Sequence, residues 1–286
     1  MNRRTAAAIE PASSDDRWHP LPSPRKQHAT DSDHCSHRSA NQTKHNTMPN
    51  RIITFMATAT VLVTSMVALA EGKTAPIKVA CVGDSITFGF AIEDREHQSY
   101  PAQLAHALGD GWSVGNFGRN GRTVLKQGHA PYWDTREYKA ALAMNPDIVI
   151  IKLGTNDLRP MNWEKHQADY VSDYVDLIRS FQDLDSEPKI WICYPVPVYP
   201  GHDKFKFGNE VIVNELIPKI NEIAEQTGVS IIDLNTALSG KKKMFPDSIH
   251  PNAEGAKEIA KQVANAIMKH VSASAEQAHT HPSATH

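Results

Sequence analysis

Between residues 76 and 271 the apolar positions follow two rhythms, and each rhythm marks a kind of element. Short apolar-rich runs lie at Ile77 to Val82 (closed by Gly83), Trp112 to Asn116, Asp147 to Leu153, Lys189 to Tyr194 and Val229 to Asp233. The third contains Ile148-Val149-Ile150-Ile151, a near-continuous β-branched stretch of the kind that strands covered on both faces require. Between these runs the apolar residues recur at three and four. They do so from Ser99 to Leu108, stopping at Gly109, and at Tyr170, Val171, Tyr174, Val175, Ile178 and Phe181, in a helix that Asn162 can cap. Gly208 to Thr227 is helical with Pro218 as a kink or boundary. A last helix, capped by Asn252, carries Ala256, Ile259, Ala260, Val263, Ala264 and Ile267 on one face. Strand and helix alternate, so the expected class is α/β: a three-layer α/β/α sandwich around a central parallel sheet of about five strands with right-handed crossovers.

The segments outside this pattern read differently. Residues 1–47 are polar and rich in Ser, Thr, Pro, Asn and His without a periodic apolar face, an extension expected to be disordered or untranslated. Met48 and Arg51 then precede an uncharged stretch from Ile52 to Ala70 ending in the small-x-small pair Ala68 and Ala70. That is the form of a signal peptide over 48–70, cleaved after Ala70, and implies a secreted or periplasmic protein. A permanent N-terminal membrane anchor is the alternative, weakened by Thr58, Thr60, Thr64 and Ser65. Residues 71–75 form a linker, 76–271 the domain, and 272–286 a His/Ala/Ser-rich tail expected to be disordered.

Composition narrows the function classes. With 30 Lys+Arg against 32 Asp+Glu the 286-residue chain is nearly neutral, which gives no electrostatic reason to expect nucleic acid as a partner. Three cysteines, Cys35, Cys81 and Cys193, make neither a disulfide framework nor a CxxC zinc pair; Cys81 and Cys193 read as small core residues in strands that are not neighbours. Many of the histidines, among them His19, His28, His34, His37, His45, His279, His281 and His286, lie in the flanking segments, so no metal site is expected and no cofactor is required. Gly115, Gly118 and Gly121 are spaced GxxGxxG, which lacks the dinucleotide-binding turn, and there is no GxSxG elbow or phosphate loop. Nothing in the sequence sets the oligomeric state.

In a parallel α/β sheet the residues just after each strand share one edge, where active sites form. Four such loops carry chemistry: Gly83-Asp84-Ser85-Ile86-Thr87, Asn116 to Thr123, Gly154-Thr155-Asn156-Asp157, and Asp247-Ser248-Ile249-His250-Pro251-Asn252. A serine nucleophile needs a base in hydrogen-bond reach and donors aimed at the developing oxyanion. Ser85 sits at a strand-to-helix turn, His250 is the candidate base, and Asp247 can accept from the other ring nitrogen and fix the tautomer. Gly121, lacking Cβ, can bring its N–H close to a substrate, and Asn156 offers a side-chain amide. Taken singly each has a bland reading. Ser85 is a helix cap, Asp247 and His250 a surface turn, Asn156 and Asp157 Asx-turn residues, Gly118 and Gly121 tight-turn residues, and Asp84 a structural hydrogen-bonder.

The four loops in this order resemble the SGNH, or GDSL, hydrolase family, over essentially all of residues 77–270. The resemblance implies a flavodoxin-like sandwich, nucleophile Ser85, base His250, orienting Asp247 and an oxyanion hole of Ser85, Gly121 and Asn156. The segments Tyr194-Pro195-Val196-Pro197-Val198-Tyr199-Pro200 and Gly154 to Pro160 are similar to its carbohydrate-directed, sialate O-acetylesterase-like branch. This implies removal of acetyl groups from sugar hydroxyls, with an acetylated sugar or polysaccharide as the partner. Trp133, Tyr194 and Tyr199, with Tyr132, are then candidates to stack on sugar faces. Arg119, Arg122 and Arg159 are candidates to meet a uronate, sulfate or sialate group. The alternative is that these aromatics pack the loops and the arginines pair locally. A lysophospholipase or thioesterase of the same fold is the enzymatic alternative, with Phe88, Phe90, Phe205 and Phe207 as apolar contributors. A non-catalytic carbohydrate-binding protein is the further one. The proline-rich stretch Pro195 to Gly208 is a candidate specificity loop.

Overall fold

β1 (Ile77–Gly83) starts the domain, and from Val79 onward every residue in it is buried. In the computed structural model, which describes residues 75–201, 205 and 207–280, it is followed by α1 (Ser85–Phe88), α2 (Arg95–Gln98), α3 (Tyr100–Leu108), β2 (Trp112–Gly118), α4 (Arg136–Ala143) and β3 (Ile148–Lys152). The second half contains α5 (Pro160–His166), α6 (Tyr170–Gln182), β4 (Lys189–Cys193), α7 (Asn209–Val211), α8 (Ile217–Thr227), β5 (Ser230–Ile232), α9 (Leu234–Leu238) and α10 (Ala253–Thr280). The strands pair in parallel in the order β2-β1-β3-β4-β5. Signal peptide, extension and most of the linker lie outside the described residues.

The period of two along each strand divides the core. Ala80 and Val82, Val149 and Ile151, and Ile190 and Ile192 face one layer, packed by Tyr174, Leu177 and Ile178 of α6 and Ile220 and Ile223 of α8. Val79 and Cys81, Ile148 and Ile150, and Trp191 and Cys193 face the other, packed by Tyr100 and Leu104 of α3 and Ile259, Val263 and Ile267 of α10. This two-sided burial is why β3 carries its β-branched run. Cys81 and Cys193 are free thiols on strands separated by β3, and burial pushes both up to about 12. From β1 the chain goes to β2 on one side and β3 on the other, and it is at the carboxyl ends of strands flanking such a change of direction that open α/β sheets bind ligands.

Several boundaries differ from the expected ones. Asn162 does not cap the long helix. It lies inside α5, and α6 begins only after a turn of 3₁₀-helix at Gln167–Asp169. Ahead of Pro218 the chain widens to a π-turn at Ile212–Leu216, because proline supplies no N–H to the preceding turn. α10 continues to Thr280 instead of ending near Val271. The stretch from Ser272 to Ala278 is rich in alanine and meets no glycine or proline, so nothing stops the helix. α4 and α9 were not legible in the pattern: α4 buries only Glu137 and Ala141. Among the described residues no helix is long and apolar enough to cross a membrane, and no group of three or more His, Cys, Asp or Glu is placed to hold a metal ion.

Candidate active site

Asp84 leaves β1 in an extended conformation and caps α1, its Oδ1 accepting from Ile86 N at 3.0 Å. Ser85 is thereby the first residue of a four-residue helix that closes at the left-handed Gly89. The carboxylate of Asp84 is held from below by Lys152, whose Nζ lies 3.2 and 3.1 Å from its two oxygens and 3.2 Å from Thr155 Oγ1. Both charged side chains are inaccessible to solvent, 0% for Lys152 and 1% for Asp84. The residue that follows β1 is thus linked to the last residue of β3 by a dry ion pair. Gly118 ends β2 where a Cβ would stand 2.1 Å from Phe88 N. Its role is this close approach of strand to nucleophile helix, not the tight turn that the sequence suggests.

His250 Nε2 lies 2.9 Å from Ser85 Oγ, and His250 Nδ1 lies 2.6 Å from Asp247 Oδ2. With the Nδ1 proton given to Asp247, Nε2 is left to accept from the serine hydroxyl. The other Asp247 oxygen accepts from the amides of His250 (2.7 Å) and Ile249 (3.0 Å), which fixes the carboxylate within its own turn. Partial burial pushes the Asp247 carboxyl up, but the ring and amide hydrogen bonds and the His250 charge outweigh it and hold the group below its ordinary value. Ser248 adopts φ +73 in this turn. It is clamped there by Tyr199 N donating to its carbonyl at 2.8 Å and by its own Oγ donating to Pro200 O at 3.0 Å. Phe90 stacks obliquely on the imidazole, ring centroids 4.6 Å apart, while 42% of it is exposed.

Gly121 has φ +73, and no described atom lies within 4 Å of where a Cβ would be. Its left-handed backbone, not crowding by the protein, is what calls for glycine. Asn156 is buried. Its Nδ2 donates to Arg122 O at 3.2 Å, leaving its second N–H for another acceptor. Asn162, missed as a site residue because it reads as a cap, donates to the Asn156 carbonyl at 2.9 Å and accepts from His129 N at 2.9 Å. Asp157 is fully buried and accepts from Leu125 N at 2.9 Å; burial pushes its carboxyl up to about 7 against the Leu125 and Val124 amides.

The outer candidates divide. Trp133 donates to Val124 O at 2.8 Å and packs edge-on against Tyr138. The Tyr194 hydroxyl donates to Asn221 Oδ1. Tyr199 donates to Leu238 O at 2.6 Å and packs on Phe245. Tyr132 is fully buried. These aromatics pack the loops against the body, the bland alternative at each, because their polar tips find internal acceptors. Arg119 reaches Glu137 at 3.8 Å, whereas Arg122 and Arg159 flank Asn156. Besides Asn162, two residues that the sequence did not single out for the site are Lys152, whose signal is a charge at the end of an apolar run, and His129, for which there was none.

A family model described as the GDSL-like lipase/acylhydrolase family matches residues 81–258. An acetylxylan esterase from Xylanibacter ruminicola is 41% identical over 209 residues, covering 67% of this chain and 43% of that protein. A multidomain esterase from Ruminococcus flavefaciens is 25% identical over 277 residues, covering 84% of this chain and 36% of that protein. The chain therefore spans less than half the length of the curated relatives it matches. Among solved structures, a carbohydrate acetylesterase from Sinorhizobium meliloti superposes with a TM-score of 0.56 at 22% identity, covering 68% of this chain and 99% of that one. The likeness shows a shared fold.

Proposed function

Because the chain belongs to the GDSL-like lipase/acylhydrolase family, we propose that it is a serine esterase that removes acetyl groups from the hydroxyls of a carbohydrate through Ser85. The observation that carries this reading is the continuous relay from Ser85 Oγ through His250 to Asp247, at 2.9 and 2.6 Å. The acetylxylan esterase likeness supports the substrate class.

His250 takes the Ser85 proton as the oxygen attacks the acetyl carbonyl, and Asp247 stabilises the imidazolium that forms. The Ser85 and Gly121 amides and the free N–H of Asn156 receive the oxyanion, a role in which loss of one donor lowers kcat by about 10²–10³. The imidazolium then protonates the departing sugar oxygen. A water, deprotonated by the same ring, attacks the acetyl-serine and frees acetate. The buried Lys152–Asp84 pair supports the reading as well, since it anchors the turn that presents Ser85.

The test is acetate release by the full chain from acetylated xylan, acetylated sialic acid, a lysophospholipid and p-nitrophenyl esters of increasing chain length. Fluorophosphonate labelling and Ser85→Ala serve as controls. Turnover of acetylated sugars that disappears together with the label in Ser85→Ala is the expected result. Preference for long acyl chains would assign the site to lipid esters, and labelling that survives Ser85→Ala would remove the nucleophile assignment.

A further inference from the structure

Beside the candidate oxyanion donors lie cations for which ester hydrolysis itself has no use. Arg122 follows Gly121, and its carbonyl accepts from Asn156 Nδ2 at 3.2 Å. Arg159 donates its own amide to the Asn156 carbonyl at 3.3 Å. The two arginines thus leave the main chain on either side of the Asn156 turn. The imidazole of His129 lies beside them: its Nε2 can accept from Arg159 Nη1 at 3.4 Å, and Asn162 Oδ1 accepts from its amide at 2.9 Å. The Arg159 guanidinium also lies over the Phe205 ring, its Cζ 4.9 Å from the centroid.

Charge here is not balanced by the protein. The Nε atoms of Arg122 and Arg159 are both buried and have no hydrogen-bond partner among the described residues, and neither guanidinium forms an ion pair there. The carboxylates whose charge acts on Arg122 are Glu137 and Asp134, and Glu137 is shared by Arg119 at 3.8 Å and Arg136 at 3.0 Å. Buried donors are costly to leave without an acceptor, so an acceptor reaching these two Nε–H groups would be favourable. The titration directions agree. Burial and then Arg119 lower the Arg122 pKa against Glu137 and Asp134, and burial lowers that of Arg159. Burial lowers that of His129 as well, helped by Arg159 and Arg122 and opposed by the Asn162 hydrogen bond. An anion entering among the three would be favourable to each of them.

We infer that Arg122, Arg159 and His129 form an anion subsite beside the acyl site, and that it takes a carboxylate carried on the sugar chain close to the acetylated residue. The inference rests on the esterase reading for its substrate class. A carboxylate is the better match because it is planar and its two oxygens accept in the plane of a guanidinium fork. The protein would then discriminate among acetylated chains by their acidic substituents, not by the acetyl group alone.

The decisive measurement is calorimetric binding to the full chain carrying Ser85→Ala. The probes are a xylo-oligosaccharide with one glucuronic acid branch, the same compound with its carboxyl reduced to an alcohol, and a sulfated counterpart. The acidic probe should bind about tenfold tighter than the reduced one, as loss of one charge-assisted contact implies, and the advantage should shrink as salt rises. Adding Arg122→Gln or Arg159→Gln should bring the ratio towards one. Fluorophosphonate labelling of the same arginine variants with Ser85 restored reports whether the site is still assembled, and Arg159→Lys serves if it is not. Equal binding of acidic and reduced probes overturns the subsite. Tighter binding of the sulfated probe overturns the carboxylate assignment. If acetate is released from both acidic and neutral substrates while binding is equal, the esterase reading stands and the subsite falls. If no acetate is released and the acidic probe still binds tighter, the reverse holds.

Discussion

In the loop after β3, Asn156 and Asp157 are adjacent side chains with opposite electrostatic demands. The amide of Asn156 is useful because it is neutral and donates. Asp157 is buried, with Oδ1 accepting from Leu125 N and Oδ2 without a hydrogen-bond partner among the described residues. Burial therefore raises the carboxyl from 3.8 to about 7, with the nearby Asp84 charge acting in the same direction and the Leu125 and Val124 amides opposing. Between those two values the folded chain holds a proton that the unfolded chain has released, so stability falls as pH rises through this window and levels off above it. Asp157→Asn removes the ionisation while keeping an oxygen for Leu125 N. Its Tm should gain on that of the parent as pH rises from about 5 to about 8. Parallel Tm profiles would show that Asp157 is ionised throughout. None of this was visible in the sequence, where Asp157 reads as a turn residue, because its neighbours Tyr170 and Tyr174 come from α6.

Elements β1 and β3 are joined at their carboxyl ends by Lys152, Asp84 and Thr155. Taking two charges out of water costs several kcal/mol each, and the cost is offset only while both remain in contact. Lys152→Met should therefore cost about 3–5 kcal/mol by leaving the Asp84 charge buried alone. Adding Asp84→Asn to that variant should restore most of the loss, since an asparagine oxygen can still cap Ile86 N. Urea unfolding of the single and double variants measures this. A single variant no less stable than the double would mean that the pair contributes no anchoring. Strand positions were legible from the short apolar-rich runs, yet this link was not, because it joins residues far apart in the chain. The same applies to Asn162, which was read as a helix cap and whose contacts with Asn156 and His129 cross between loops. Helix ends failed where the local signal was weak: α10 ran on through alanine, and the turn before Pro218 widened.

For the molecule as a whole, the parallel five-strand sheet and the placement of four loops at one edge were readable because parallel β/α units leave every strand end on the same side, whereas the strand order came only from the pairing. Ser85, His250 and Asp247 come together across that edge as the order of motifs implied. The aromatic candidates did not separate into surface and core by pattern alone. Trp133, Tyr194 and Tyr199 each satisfy a polar tip internally, while the exposed ring is Phe90, resting on the imidazole. Export belongs to this scale too. We read Met48 to Ala70 as a cleaved leader, so N-terminal sequencing of exported protein should begin at Glu71. A chain retained in the membrane with Met48 to Ala70 intact would establish the anchor instead.

The dry pair beneath Ser85 also constrains how this sequence can be altered. Either charge without the other is worse than both or neither, so positions 84 and 152 form a two-key lock that single substitutions cannot open gradually. The nucleophile turn and the end of β3 are in effect one transplantable part. A chimera that imports a foreign Asp84 turn should remain sound only if it carries a matching partner across from the third strand.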